Sequence, residues 1–259
     1  MRKPNQAGLL HAESVARASE RPDGVLLDVD DTLVDTRGAF RHALAKIATE
    51  HLRAGVDPEE VADFWRHDRH DWYRAHTRGE IDYREQRMRR ANDLHAVFGG
   101  PAMDDDAYDL WNEDFERHFQ EGWRAHRDAA SFLDELEACG IPYAAVSNAA
   151  VAYQTLKLER CGLSRVPMLV GVDTFGVGKP DPRVFLEGAA RLGTDPRRTV
   201  YVGDEYDIDA VASAAAGLVA VWLDRPGARR SDVPADAESN PNVTRVSSLA
   251  HILEALTSR

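Results

Sequence analysis

Four short apolar runs constrain this chain most: Val25 to Leu27, Tyr143 to Val146, Thr199 to Val202 and Val219 to Leu223. Each is too short for a buried helix, so each reads as a buried strand. The last three follow segments whose apolar residues recur at helical spacing. Residues 128–139 carry Ala129, Phe132, Leu133 and Leu136 and end at Gly140. Residues 182–192 carry Val184, Phe185, Ala189 and Leu192 and end at Gly193, and a third such segment, about 209–216, ends at Gly217. Strands alternating with helices predict an α/β fold: a three-layer core around a parallel sheet. Val243 to Val246 reads as a last strand and Leu249 to Leu256 as a last helix.

Residues 38–122 break the alternation. They are rich in Arg, His, Asp, Trp and Tyr, show helical periodicity and contain no convincing strand. Loop signals at Gly55 to Pro58, Thr77 to Glu80 and Gly99 to Pro101 divide them into about four helices. The chain therefore reads as an N-terminal extension over 1–20, a core over 21–37 and 123–259, and a helical insert over 38–122. Asp35 to Gly38 and Gly122 to Asp128 read as the two hinges of that insert. Trp65 and Trp72, seven apart, read as one face of an amphipathic helix inside it.

A net charge of −12 over 259 residues argues against a nucleic-acid polymer as partner, because such binders carry a basic patch or stripe. Only Cys139 and Cys161 are present, so neither a disulfide framework nor a zinc motif is expected, and a cytoplasmic location fits. No signal peptide and no membrane span are expected. The histidines His42, His51, His95, His118, His126 and His251 show no spacing that suggests a metal site.

The first strand runs directly into Asp28-Val29-Asp30-Asp31. Clustered carboxylates repel and resist desolvation, so a cation should sit among them. A hard divalent ion such as Mg²⁺ suits oxygen ligands shared with substrate phosphate. A polar turn would account for a lone Asp-x-Asp, but three motifs follow it downstream. Ser147-Asn148 closes the second strand, Lys179 precedes a Pro-bounded helix start, and Gly203-Asp204 with Asp209 forms another acidic cluster at a strand end. Open α/β sheets bind their ligands just outside such ends.

In this order, Asp28-x-Asp30-x-Thr32, Ser147, Lys179 and Gly203-Asp204 with Asp209 resemble the four motifs of the haloacid dehalogenase-like hydrolase superfamily, phosphatase branch. The resemblance implies a Rossmann-like core with the insert as a C1-type helical cap. It implies Asp28 as nucleophile and Asp30 as general acid and base, acting through an aspartyl-phosphate. It also implies Mg²⁺ held by Asp28, Asp30 through its backbone carbonyl, Asp204 and Asp209, with Thr32, Ser147, Asn148 and Lys179 binding the substrate phosphate. Asp31 stands where many relatives carry glycine, and Glu205 and Ile208 replace the Ser and Asn often found in the fourth motif.

Asp30 favours a phosphatase over a dehalogenase, since expelling halide needs no proton whereas expelling an alkoxide does. A small phosphate ester, such as a sugar phosphate or nucleotide, is the expected partner of a monomer or homodimer. The alternatives are a sugar phosphomutase using the same aspartates and a non-catalytic binding protein on the same fold. Substrate choice is expected to lie in the cap, with Trp72 and Arg74 as candidate specificity residues.

Overall fold

The computed structural model describes residues 21–228 and 233–257, so the expected N-terminal extension lies outside the described residues. Six parallel strands form one sheet in the order β3-β2-β1-β4-β5-β6. They are β1 (Gly24–Leu27), β2 (Tyr143–Val146), β3 (Met168–Val170), β4 (Thr199–Gly203), β5 (Val219–Leu223) and β6 (Val243–Val246). Side chains alternate across the sheet as the twofold period of a strand requires. Val25 and Leu27 pack with Phe132, Leu136 and Ile252 on one face, while Leu26 packs with Val184, Phe185 and Ala189 on the other.

Between β1 and β2 run α1 (Thr36–His51), α2 (Pro58–His67), α3 (Trp72–Thr77), α4 (Tyr83–Phe98), α5 (Asp105–Glu121) and α6 (Ala129–Ala138). Helices α1, α2, α4 and α5 share a core of their own, built on Trp65, Tyr108, Trp111, Phe115 and Phe119. Aspartates start most of them: Asp35, Asp57, Asp82 and Asp104 each accept a backbone N–H of the first turn. The insert has five helices where four were expected. The extra break falls at Asp68 and Asp71, whose φ values of 41° and 59° no α-helix can accommodate. Trp65 and Trp72 thus belong to different helices: Trp65 is buried in the insert core, whereas Trp72 is half-buried.

Beyond β2 the chain forms α7 (Val151–Arg160), α8 (Val172–Phe175) and α9 (Pro182–Leu192). A π-helical turn over Tyr206–Val211 leads into α10 (Ala212–Ala215), and α11 (Leu249–Thr257) closes the described chain. Strand β3 and helix α7 were not expected from the sequence. The segments entering and leaving the insert lie side by side. Val34 and Ala125 form an antiparallel bridge, Asp35 N donates to Arg124 O at 2.9 Å, and His126 N donates to Leu33 O at 2.9 Å.

Candidate active site

Strand β1 pairs with β2 and β4, with Leu27 opposite both Ala145 and Val202. The segments that follow these strands therefore bring Asp28, Ser147 and Asp204 out along one carboxyl edge of the sheet. The chain switches from one side of β1 to the other at this point, which opens a crevice. A cavity of about 230 Å³ lies there, lined by Asp28, Asp30, Ser147, Lys179 and Asp204 from the sheet and by Trp65, Tyr73, Arg74 and Arg87 from the insert.

Asp28 is only 5% exposed. Lys179 Nζ donates to Asp28 Oδ1 at 2.6 Å and to Asp209 Oδ1 at 2.7 Å. Burial alone would discharge this lysine, but the carboxylates of Asp209 and Asp28 hold it charged and raise its pKa well above the ordinary lysine value. Asp209 also accepts from Tyr201 Oη at 3.2 Å and from Glu205 N at 2.9 Å. Gly203 makes room for it, because a Cβ there would lie 2.3 Å from Asp209 Cγ. Asn148 grips the lysine backbone: Lys179 N donates to Asn148 Oδ1 at 2.6 Å, and Asn148 Nδ2 donates to Lys179 O at 3.1 Å. Ser147 Oγ accepts from Gln154 Nε2 at 2.8 Å and from Ala149 N at 3.2 Å.

Asp30 is held differently from Asp28. Lys157 Nζ and Thr36 Oγ1 donate to its Oδ1 at 2.6 and 2.5 Å, and Gln154 Nε2 donates to Oδ2 at 2.5 Å. Burial pushes its pKa up, but Lys157 and these hydrogen bonds outweigh burial and leave the carboxyl below its usual value. The two aspartates of the first motif therefore titrate in opposite directions. Burial, with Asp209 and Asp30 nearby, raises Asp28 well above the usual range in spite of Lys179.

Asp204 is likewise raised well above the usual range, by burial and then by Asp31 and Glu205. Burial lifts Asp31 to about 6 against the pull of Arg37. Arg37 reaches both, at 3.2 Å from Asp31 and 3.1 Å from Asp204. Carboxylate oxygens of Asp28, Asp204 and Asp209 all lie within 4.8 Å of one another. An all-oxygen donor set whose acids are crowded and reluctant to ionise fits a hard divalent cation such as Mg²⁺. Asp209 already accepts three hydrogen bonds, from Lys179, Tyr201 and Glu205, so it suits orientation better than direct ligation. The Asp30 carboxylate is not part of this set, which leaves its backbone carbonyl as the expected donor.

Of three further expected site residues, two do not reach the cavity and one does. Thr32 is fully buried and does not line the cavity. Trp72 is absent from the cavity lining as well: its indole N–H donates to Asp93 Oδ2 at 3.2 Å and Arg89 stacks on its ring at 4.4 Å. Arg74 does line the cavity, and it crosses from α3 to the fourth motif, 2.8 Å from Asp207 and 3.7 Å from Glu205. Asp31, at φ 55°, occupies a left-handed turn position where aspartate is tolerated in place of glycine. Sequence reasoning did not single out Arg37, Gln154 or Lys157. The histidines do gather with acids, as in His42, His118 and Glu121, but the two ring nitrogens of His118 are already engaged by Glu50 at 3.1 Å and Glu121 at 3.2 Å.

A family model described as haloacid dehalogenase-like hydrolase matches residues 22–217. A phosphoserine phosphatase of Thermus thermophilus is 29% identical over 249 residues, 89% of this chain and 98% of that one. Hexitol phosphatase A of Escherichia coli is 29% identical over 92% of this chain and 94% of its own length. Among solved structures, a HAD family hydrolase from Deinococcus radiodurans with bound phosphate and sodium superposes with a TM-score of 0.68 at 26% identity. That match covers 92% of this chain and 96% of the other. A magnesium-bound HAD-hydrolase from Bacillus subtilis, 20% identical, shares the fold with a TM-score of 0.74 over 92% of this chain and 100% of its own.

Proposed function

Because this chain belongs to the haloacid dehalogenase-like hydrolase family, we propose that it is a Mg²⁺-dependent phosphatase that hydrolyses small phosphate monoesters through an aspartyl-phosphate on Asp28. The observation that carries this reading is the contrast between the two aspartates. Asp28 is aimed by Lys179, which it shares with Asp209, and Asp30 is clamped independently by Lys157, Gln154 and Thr36.

In the first step an Asp28 oxygen attacks phosphorus, the ester P–O bond breaks, and Asp30 gives its proton to the departing oxygen. In the second, water attacks the phosphorus of the aspartyl-phosphate, Asp30 takes the water proton, and the bond to Asp28 breaks to release inorganic phosphate. Asp30 must carry a proton in the first step although Lys157 depresses its pKa. An incoming phosphate dianion opposes that lysine and favours the protonated carboxyl. Lys179 and Ser147 are suited to hold the phosphoryl oxygens, with Asn148 fixing the lysine in place. Bound at Asp28, Asp204 and the Asp30 carbonyl, Mg²⁺ would supply charge neutralisation between nucleophile and dianion. Helices α1 to α5 act in this reading as a cap that excludes water and selects the leaving group.

The test is phosphate release over sugar phosphates, nucleoside monophosphates, phosphorylated small acids and an aryl phosphate. Release is expected to stop with a chelator, return with Mg²⁺ and vanish in Asp28→Asn. No release from any ester by folded protein with Mg²⁺ present would refute the reading.

A further inference from the structure

The least expected polar group near the site is Lys157, on α7. It is 2% exposed, yet no motif calls for it. Its ammonium donates to Asp30 Oδ1 at 2.6 Å and lies 5.4 to 5.5 Å from the ring centres of Tyr153, Phe119 and Trp123. Phe119 belongs to α5 and Trp123 to the segment leaving the insert, while Tyr153 donates its hydroxyl to Glu116 of α5 at 2.7 Å. The lysine is thus held on one side by the catalytic carboxylate and on the other by the insert.

A carboxylate has about four acceptor positions. Lys157, Thr36 and Gln154 occupy three of those on Asp30, two on Oδ1 and one on Oδ2. One direction remains for a travelling proton. We propose that Lys157 is a positioning residue for the reaction: it fixes the orientation in which Asp30 delivers a proton to the leaving oxygen and takes one from water, and the rings of Phe119 from the insert, Trp123 at its exit and Tyr153 keep it there. The inference rests on the phosphatase reading above. It adds a dependence of the core's proton transfer on the seating of the insert, through a residue that touches neither the nucleophile nor the metal-binding carboxylates of Asp28 and Asp204.

The test compares an alkyl phosphate with 4-nitrophenyl phosphate, whose leaving group departs without a proton. Lys157→Met keeps the length and apolar stem but removes the donor. With the alkyl ester its kcat is expected to fall about tenfold or more at little-changed KM, because both steps need an oriented Asp30. With the nitrophenyl ester only the second step needs it, so a burst of about one nitrophenolate per enzyme should precede slow turnover. A residue that merely packs would slow both esters alike and give no burst. That result, or an alkyl kcat within about twofold of the parent, would overturn the proposal. If Lys157→Met does not fold, Phe119→Leu carries the same test, since it removes one of the rings that hold the ammonium against Asp30; the burst is again expected, and its absence with equal losses again refutes. The alkyl phosphate used is the one the parent hydrolyses fastest in the panel above, and a parent silent on every ester would instead refute the phosphatase reading, before any variant is compared.

Discussion

Lys179 is the residue on which the buried charge depends. It is the shared partner of Asp28 and Asp209, all three being nearly inaccessible to solvent. Removing one partner of such a group leaves uncompensated charge in the interior, at a cost of about 3–5 kcal/mol. Lys179→Met is therefore expected to lose stability of that order by urea denaturation, and adding Asp209→Asn should recover part of it. Additive losses would mean that the two charges do not depend on each other. This lysine was legible in the sequence because it sits in a bounded motif before a Pro-started helix. Arg37, Gln154 and Lys157 were not. Arg37 meets Asp31 and Gln154 meets Ser147 close by in the chain, but the partners that draw the three into the site lie 167, 124 and 127 positions away, and nothing in their immediate surroundings distinguishes them from solvated helix residues.

At the scale of elements, the strands with dense apolar runs and the helices with clear stops were readable, and those lacking either were not. Strand β3 has three residues at the sheet edge, two of them only half-buried, so it offers no sustained apolar run. Helix α7 buries Gln154, Lys157 and Leu158, and two of those three are polar, so its inward face does not register as an apolar stripe. The close approach of α1 to the end of α5 was equally hidden. A Cβ at Gly122 would lie 2.8 Å from Ala39 Cα and 3.2 Å from Ala39 O, both backbone atoms that cannot step aside. Gly122→Ala is expected to cost about 1–3 kcal/mol, read from the urea midpoint. Arg74 belongs to the opposite class. Its closest acidic partner, Asp207, is exposed, so Arg74→Ala should shift the unfolding temperature little. It should instead change KM unequally across substrates, because Arg74 lines the cavity. Equal loss on every ester would remove it from substrate selection.

Over the whole molecule, a few of the acids that give the chain its negative balance crowd the cavity at the carboxyl edge of the sheet. Asp28, Asp204 and Asp31 all have folded pKa values above their unfolded ones, Asp31 at about 6. Each then contributes stability at low pH that disappears as pH rises through its folded pKa, leaving the metal-free protein strained at neutrality. A divalent cation relieves this only once the acids have ionised. The rise in unfolding temperature produced by Mg²⁺ should therefore be small at low pH, where Asp28 and Asp204 hold their protons, and grow as pH rises through their raised folded pKa values; a gain independent of pH would place the ion elsewhere. The paired segments at Val34 and Ala125 carry a different consequence. Where entry and exit of an insert are already hydrogen-bonded to each other, the host domain does not rely on the insert to bring its own ends together. A short turn joining that stem would leave β1 and α6 where they are, at little cost in loop entropy. The helical unit is in this sense an attachment that the fold of the host does not require, and a lineage that replaced it, and with it the range of compounds recognised, would have to rebuild only the few contacts it makes with the machinery beneath, such as Phe119 beside Lys157.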